Sequence, residues 1–183
     1  MSSPAGSSAT LIKALRRFRR NRRGSAAVEF ALVAPVFFAL LFAIIETAIV
    51  FFAGQVLETV TQDSARFIMT GQAQSGGYSQ SQFKTYVCGK ISVLFDCVNG
   101  IYIDVQSYPG FSGVSINDPI DASKNFVAPN NYNPGGPGDI VVVRLFYQWP
   151  LIVTGLGYNI ANLSGSKRLL TATAAFRNEP YGG

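Results

Sequence analysis

Ten carboxylates, two cysteines and no histidine make up the reactive inventory of this 183-residue chain. Without histidine there is no Ser-His-Asp triad, no Cys-His pair and no imidazole proton shuttle. Two cysteines alone do not close a zinc site, so neither a metal nor a cofactor is expected. The chain reads as a non-enzyme. Asp104, Asp118 and Asp139 are the residual candidates for a carboxylate pair of the hydrolase type, although nothing in their spacing joins them. The Gly-rich run around Pro137 lacks the GK[ST] of a phosphate loop.

The most informative carboxylate is Glu29 in GSAAVEF, Gly24 to Phe30, where it stands at the mouth of a long apolar run. An ionisable group inside a membrane helix costs about 2.5–3.5 kcal/mol at the centre and less near the interface. Such a residue marks a functional partner, or it snorkels and supports the helix N-terminus through the macrodipole.

Two elements frame that junction. Phe30 to Ala53 is a run of 24 residues whose only ionisable member is Glu46, about 36 Å as a helix and enough to cross a hydrocarbon core of about 30 Å with tilt. Upstream, Lys13, Arg16, Arg17, Arg19, Arg20, Arg22 and Arg23 supply seven positive charges and no negative one. The other eight basic and ten acidic groups lie after Gly24, so the net +5 divides into +7 on the leader and −2 on the rest. The charge therefore orients a span, N-terminus cytoplasmic, rather than forming a nucleic-acid face. A cleaved signal peptide is the alternative, but the run is long for an h-region and no small-x-small site ends it.

These residues resemble a known pattern. Gly24, then Ser25 and Glu29 at the first and fifth positions after it, then Phe30, are similar to the prepilin peptidase site of type IV pilins. With Pro35 and the carboxylate of IIET, the segment resembles the TadE-like minor pilins, or pseudopilins, of the Tad (Flp) pilus, and AFRNEP, Ala175 to Pro180, is similar to an ending found in that family. The resemblance implies cleavage after Gly24, a new amino terminus at Ser25, and a role for Glu29 in recruiting the next subunit. It also implies prepilin peptidase, other Tad pilins and pseudopilins, inner-membrane platform proteins and the lipid bilayer as partners, with no nucleic acid. The expected location is the bacterial inner membrane, with the C-terminal domain periplasmic or carried into the pilus.

Ser25 and Glu29 are i and i+4, on one helical face. Glu46, 17 residues beyond Glu29, is expected either to snorkel to the outer headgroups or to contact another pilin or a platform protein. Pro35 removes one helix hydrogen bond and crowds Ala31, so a kink is expected there. Beyond the span, Val56, Leu57, Val60, Ala65, Phe67 and Ile68 recur among polar residues as an amphipathic continuation.

The expected organisation is a leader (1–24), a transmembrane helix (25–53), its stalk continuation (54–70), a polar linker (71–82) and an α+β domain (83–183). Phe83 to Val98 has the spacing of a short second helix carrying Cys88 and Cys97. Nine residues of helix separate Cα atoms by about 13.5 Å, whereas a disulfide needs less than about 7 Å. The bridge is favoured, which requires the helix to end before Cys97. Residues 101–108, 140–149 and 168–177 read as strands of a small antiparallel sheet laid on the stalk. The stretch 109–138, with Pro119, Pro129, Pro134 and Pro137, reads as a long solvated excursion, with a binding surface as the alternative, and 151–160 as a possible short helix. The rival to the pilin reading is an unprocessed, membrane-anchored periplasmic binding or adhesin module whose long loop carries specificity.

Overall fold

A computed structural model describes residues 24–91, 94–155 and 157–181; the cationic leader at 1–23 lies outside the described residues. The chain divides into two compact units, residues 1–44 and 45–183. Helix α1, Ser25–Met69, contributes to both and runs unbroken through Pro35.

In the second unit α1 packs one stripe against a sheet. Val50, Ala53, Leu57, Val60 and Ile68 are buried at helical spacing, with Thr61 and Ser64 also inside. Thr61 satisfies its hydroxyl on the Leu57 carbonyl at 2.8 Å. Gly71 ends the helix in the left-handed region, φ 77°, donating its N–H to the Ile68 carbonyl. The Tyr181 ring lies where a Cβ on Gly71 would stand, so a side chain is excluded there by space as well as by φ.

The segment 71–82, expected as a linker, is instead packed structure. A helical turn, α2 (Gln72–Ser75), buries Ala73, and Tyr78 packs on the core. Ser79 and Gln82 then form a reciprocal capping box that starts α3, Gln80–Lys90. Two apolar contacts and a cap thus outweigh the polar composition. The second helix ends at Lys90 rather than continuing to Val98, and a separate turn, α4 (Cys97–Gly100), is capped by the Asp96 side chain.

The sheet has the order β1-β2-β3 with both pairs antiparallel: β1 Ile101–Tyr108, β2 Ile140–Pro150 and β3 Lys167–Arg177. Each lies within one residue of its expected bounds. Ile101, Ile103, Val105, Val141, Val143, Leu145, Leu170 and Ala172 face α1 and α3 in the main core. The opposite face carries a smaller cluster of Phe146, Leu163 and Leu169, with Tyr102, Ile120 and Phe126 packed on it.

Ile120 and Phe126 of that second cluster come from 109–138, a largely exposed segment that touches the outer face of the sheet through them. It contains one 3₁₀ turn, Phe111–Gly113, and no strand among the described residues. Its last part runs along the free edge of β1, where Val105 donates to the Asn131 carbonyl and accepts from the Asn133 N–H. Covering an edge in this way removes unpaired backbone groups that would template aggregation. The expected short helix at 151–160 is absent among the described residues; Gly155 and Gly157 interrupt it, and the loop is fixed instead by long-range contacts.

Candidate functional site

The expected junction forms the first two turns of α1. Ser25 is its first residue, and its Oγ donates to Glu29 Oε1 at 2.9 Å in an exposed pair. Gly24 immediately precedes the helix, and no heavy atom lies within 4 Å of where its Cβ would be. The peptide after it is therefore uncrowded on that side. Phe30 is 68% exposed, and Leu32, Val33, Val36, Phe37, Leu40, Phe42 and Ile44 are all exposed, on every side of the helix. An apolar surface around the whole circumference needs an apolar surround. α1 is the one helix among the described residues long and apolar enough to cross a membrane.

Glu46 is not part of that junction, and it does what neither expectation considered. It is 9% exposed, and its carboxylate accepts from backbone amides 106 and 107 residues away. Oε1 lies 2.5 Å from Ile152 N and 3.2 Å from Val153 N, and Oε2 lies 3.0 Å from Val153 N. The next residue, Thr47, shares a hydroxyl hydrogen bond with Tyr158. Both contacts tie the 151–163 loop to α1, so the carboxylate is spent within its own chain.

The three carboxylates considered for hydrolysis each serve a different local structure. Asp104 pairs with Arg144, Asp118 accepts from the Ile120 N–H, and Asp139 accepts from Ser107 Oγ and the Gly136 N–H. No cluster of three or more His, Cys, Asp or Glu side chains suited to a metal ion occurs among the described residues. Cys88 and Cys97 form a disulfide with Cα atoms 5.6 Å apart, which the break in helix after Lys90 permits.

AFRNEP has a structural use that its sequence did not disclose. Asn178 is buried and its Nδ2 donates to the Pro134 and Gly136 carbonyls, while the Glu179 N–H donates to the Met69 carbonyl at the end of α1. The motif thus joins the end of β3 to the end of α1. The Tyr181 hydroxyl donates to the Gly135 carbonyl, and burial pushes its pKa up from the ordinary value.

The class defined by these features is an α+β domain assembled on the C-terminal part of a helix whose N-terminal part has the length and composition of a membrane anchor, opening on a small-residue and carboxylate junction. Residues 24–66 match the family model described as TadE-like protein, and over those residues the chain is similar to that family, consistent with a place in the Tad pilus system. No curated protein and no solved structure matches the chain.

Proposed function

We propose that this chain is a minor pilin, or pseudopilin, needed for assembly of a Tad-type pilus used in surface adhesion. Prepilin peptidase cuts after Gly24 on the cytoplasmic face of the inner membrane, the arginine leader is lost, and the domain built around the sheet stands on the periplasmic side. The carrying observation is the match that begins at Gly24, combined with Ser25 and Glu29 in contact on the first turns of an exposed apolar helix.

In the precursor Glu29 accepts from the Ser25 hydroxyl. Cleavage turns the Ser25 amide into an α-amine, whose reference pKa of about 8 leaves it largely cationic at neutral pH. A cation at a helix N-terminus opposes the macrodipole, so a carboxylate is the natural companion. In low dielectric an ammonium and a carboxylate left unpaired are both costly, and pairing Glu29 with the amine of a neighbouring subunit satisfies both while fixing the register between helices. Other Tad pilins and the inner-membrane platform proteins are the partners of that step.

Intact mass or N-terminal sequencing of the protein from its native host is the direct test. A mature start at Ser25 is expected. An intact arginine leader overturns the reading and leaves an unprocessed membrane-anchored binding module.

A further inference from the structure

The two edges of the sheet are treated differently. Along β1 the Val105 backbone bonds to Asn131 and Asn133, so that edge is covered. β3 forms the other edge. In an antiparallel strand the backbone groups of alternate residues turn to the same side. The Lys167 carbonyl accepts from the Leu163 N–H, and the Leu169 N–H donates to Asn162 Oδ1, so the odd-numbered residues of β3 face away from β2. Past that turn, the outward N–H and C=O of Thr171, Thr173 and Ala175 have no partner among the described residues, and all three residues are exposed. A bare edge is ordinarily blunted by a lysine, a proline or a bulge. Residues 169–176 include no charge and no proline, and they pair with β2 one for one without a bulge.

A groove of about 370 Å³ runs beside this edge, between α1 and β3. Val50, Phe51, Gly54 and Leu170 line it, and Glu58 and Arg168 together add no net charge. Side chains alternate across a sheet, and Leu170 points to the α1 side, into the main core. An extended backbone paired with β3 would turn the side chain opposite Leu170 to that same side, into the groove. A free strand edge beside an apolar groove suits strand addition, in which main-chain hydrogen bonds hold the segment and the groove selects a side chain. Lys167 and Arg177, both exposed, stand at the two ends of the uncharged stretch, which favours acidic residues at the ends of the added segment.

We propose that the free edge of β3 at 171–175 takes up an extended segment of another polypeptide of the pilus assembly as a fourth strand. The segment is apolar where it meets the groove and acidic where it passes Lys167 and Arg177. A second copy of this chain does not fit. Joining β3 to β3 about a two-fold axis normal to the sheet brings basic ends together and turns one α1 against the other, so two chains anchored by α1 in one bilayer cannot meet in this way. The inference rests on the anchor and assembly parts of the function proposed above and is independent of cleavage at Gly24.

Hydrogen exchange at single-amide resolution tests it. The full chain is followed in detergent micelles and in inner membranes of its native host, prepared with and without the other Tad pilins and pseudopilins. In micelles the amides of Thr171, Thr173 and Ala175 are expected to exchange fast, beside slow amides at Leu170, Ala172 and Ala174. In complete membranes the three outward amides are expected to slow by at least about tenfold, and without the other subunits to return to the micelle rate. Fast exchange in both membranes overturns the proposal, and slow exchange in both overturns the assignment to another subunit. Thr173→Pro removes an outward donor at an edge position that tolerates proline, and it is expected to abolish the protection at Thr171 and Ala175. Gly54→Leu fills the groove from a position with no heavy atom within 4 Å of its Cβ and raises helix propensity, so the fold is kept while protection falls. Full protection in both variants overturns the proposal. Intact mass of the same membrane-derived chain reads the function separately. A retained leader with the edge protected overturns cleavage alone, and a mature start at Ser25 with the edge unprotected overturns this inference alone.

Discussion

Asp104 and Arg144 lie directly opposite each other on β1 and β2, with Arg144 Nη2 2.6 Å and Nε 2.9 Å from the same carboxylate oxygen. Both are almost fully buried. Asp104 Oδ1 also accepts from Gln106 and Asn131, and Arg144 Nη1 donates to the Asn117 carbonyl, so the pair fastens the covering loop to the sheet at two points, Asn117 and Asn131. Asp104→Ala leaves a buried guanidinium without its counter-ion, and a loss of about 3–5 kcal/mol is expected. Thermal unfolding of the full chain in detergent micelles reads the loss, and faster proteolysis within 109–138 should accompany it. Unchanged loop protection in the variant would mean that the pair does not hold the loop.

The disulfide spans a sequence separation of nine and joins the end of α3 to the start of α4. Closing so short a loop restricts the unfolded chain by about 2–3 kcal/mol. The double substitution Cys88→Ala with Cys97→Ala is expected to lower the melting temperature, and reductant should lower the parent's to match. A parent whose melting temperature ignores reductant despite full reduction would contradict this.

Burial, with a smaller contribution from Tyr78, pushes the Tyr132 pKa up to about 12. Its hydroxyl is enclosed without a hydrogen-bond partner among the described residues. The folded state therefore keeps the proton while an unfolded tyrosine loses it near pH 10. Stability from this site is fully present below about pH 10 and is lost as pH rises from there to about 12. Tyr132→Phe is expected to flatten that alkaline slope at little cost near neutrality, because it removes an unsatisfied hydroxyl. Unfolding measured across the alkaline range, beside tyrosinate absorbance, checks the sign.

Glu29→Ala is expected to leave cleavage after Gly24 largely intact and to reduce pilus assembly, since the substitution removes the carboxylate while keeping the small residues that flank the scissile peptide. Immunoblots of processing and electron microscopy of piliation separate the two effects. Normal piliation, in a strain with no related subunit able to substitute, would refute the recruitment role.

Much of the architecture was legible from local pattern. The apolar run, the +7 and −2 charge partition, the end of α1 at Gly71 and three strands depend on hydropathy, period and breakers within a few residues of each position. The candidate junction at Gly24 to Phe30 was equally local, because i and i+4 on a helix meet wherever the helix forms. Where expectation and structure part, at 71–82 and 151–160, the local composition was polar or ambiguous and distant packing decided.

What the sequence determined by itself is therefore the long apolar helix, the three strands and the division of charge at Gly24. Only the tertiary structure decided how the buried polar groups are matched: Glu46 with amides 106 and 107 residues on, Asp104 with Arg144 across two strands, Asn178 with the carbonyls of 134 and 136. The physical reason is that a helix or strand is stabilised by neighbours in sequence, whereas a buried carboxylate or amide must find a partner at hydrogen-bond distance in space. Which residues come that close is set by the packing of the whole domain.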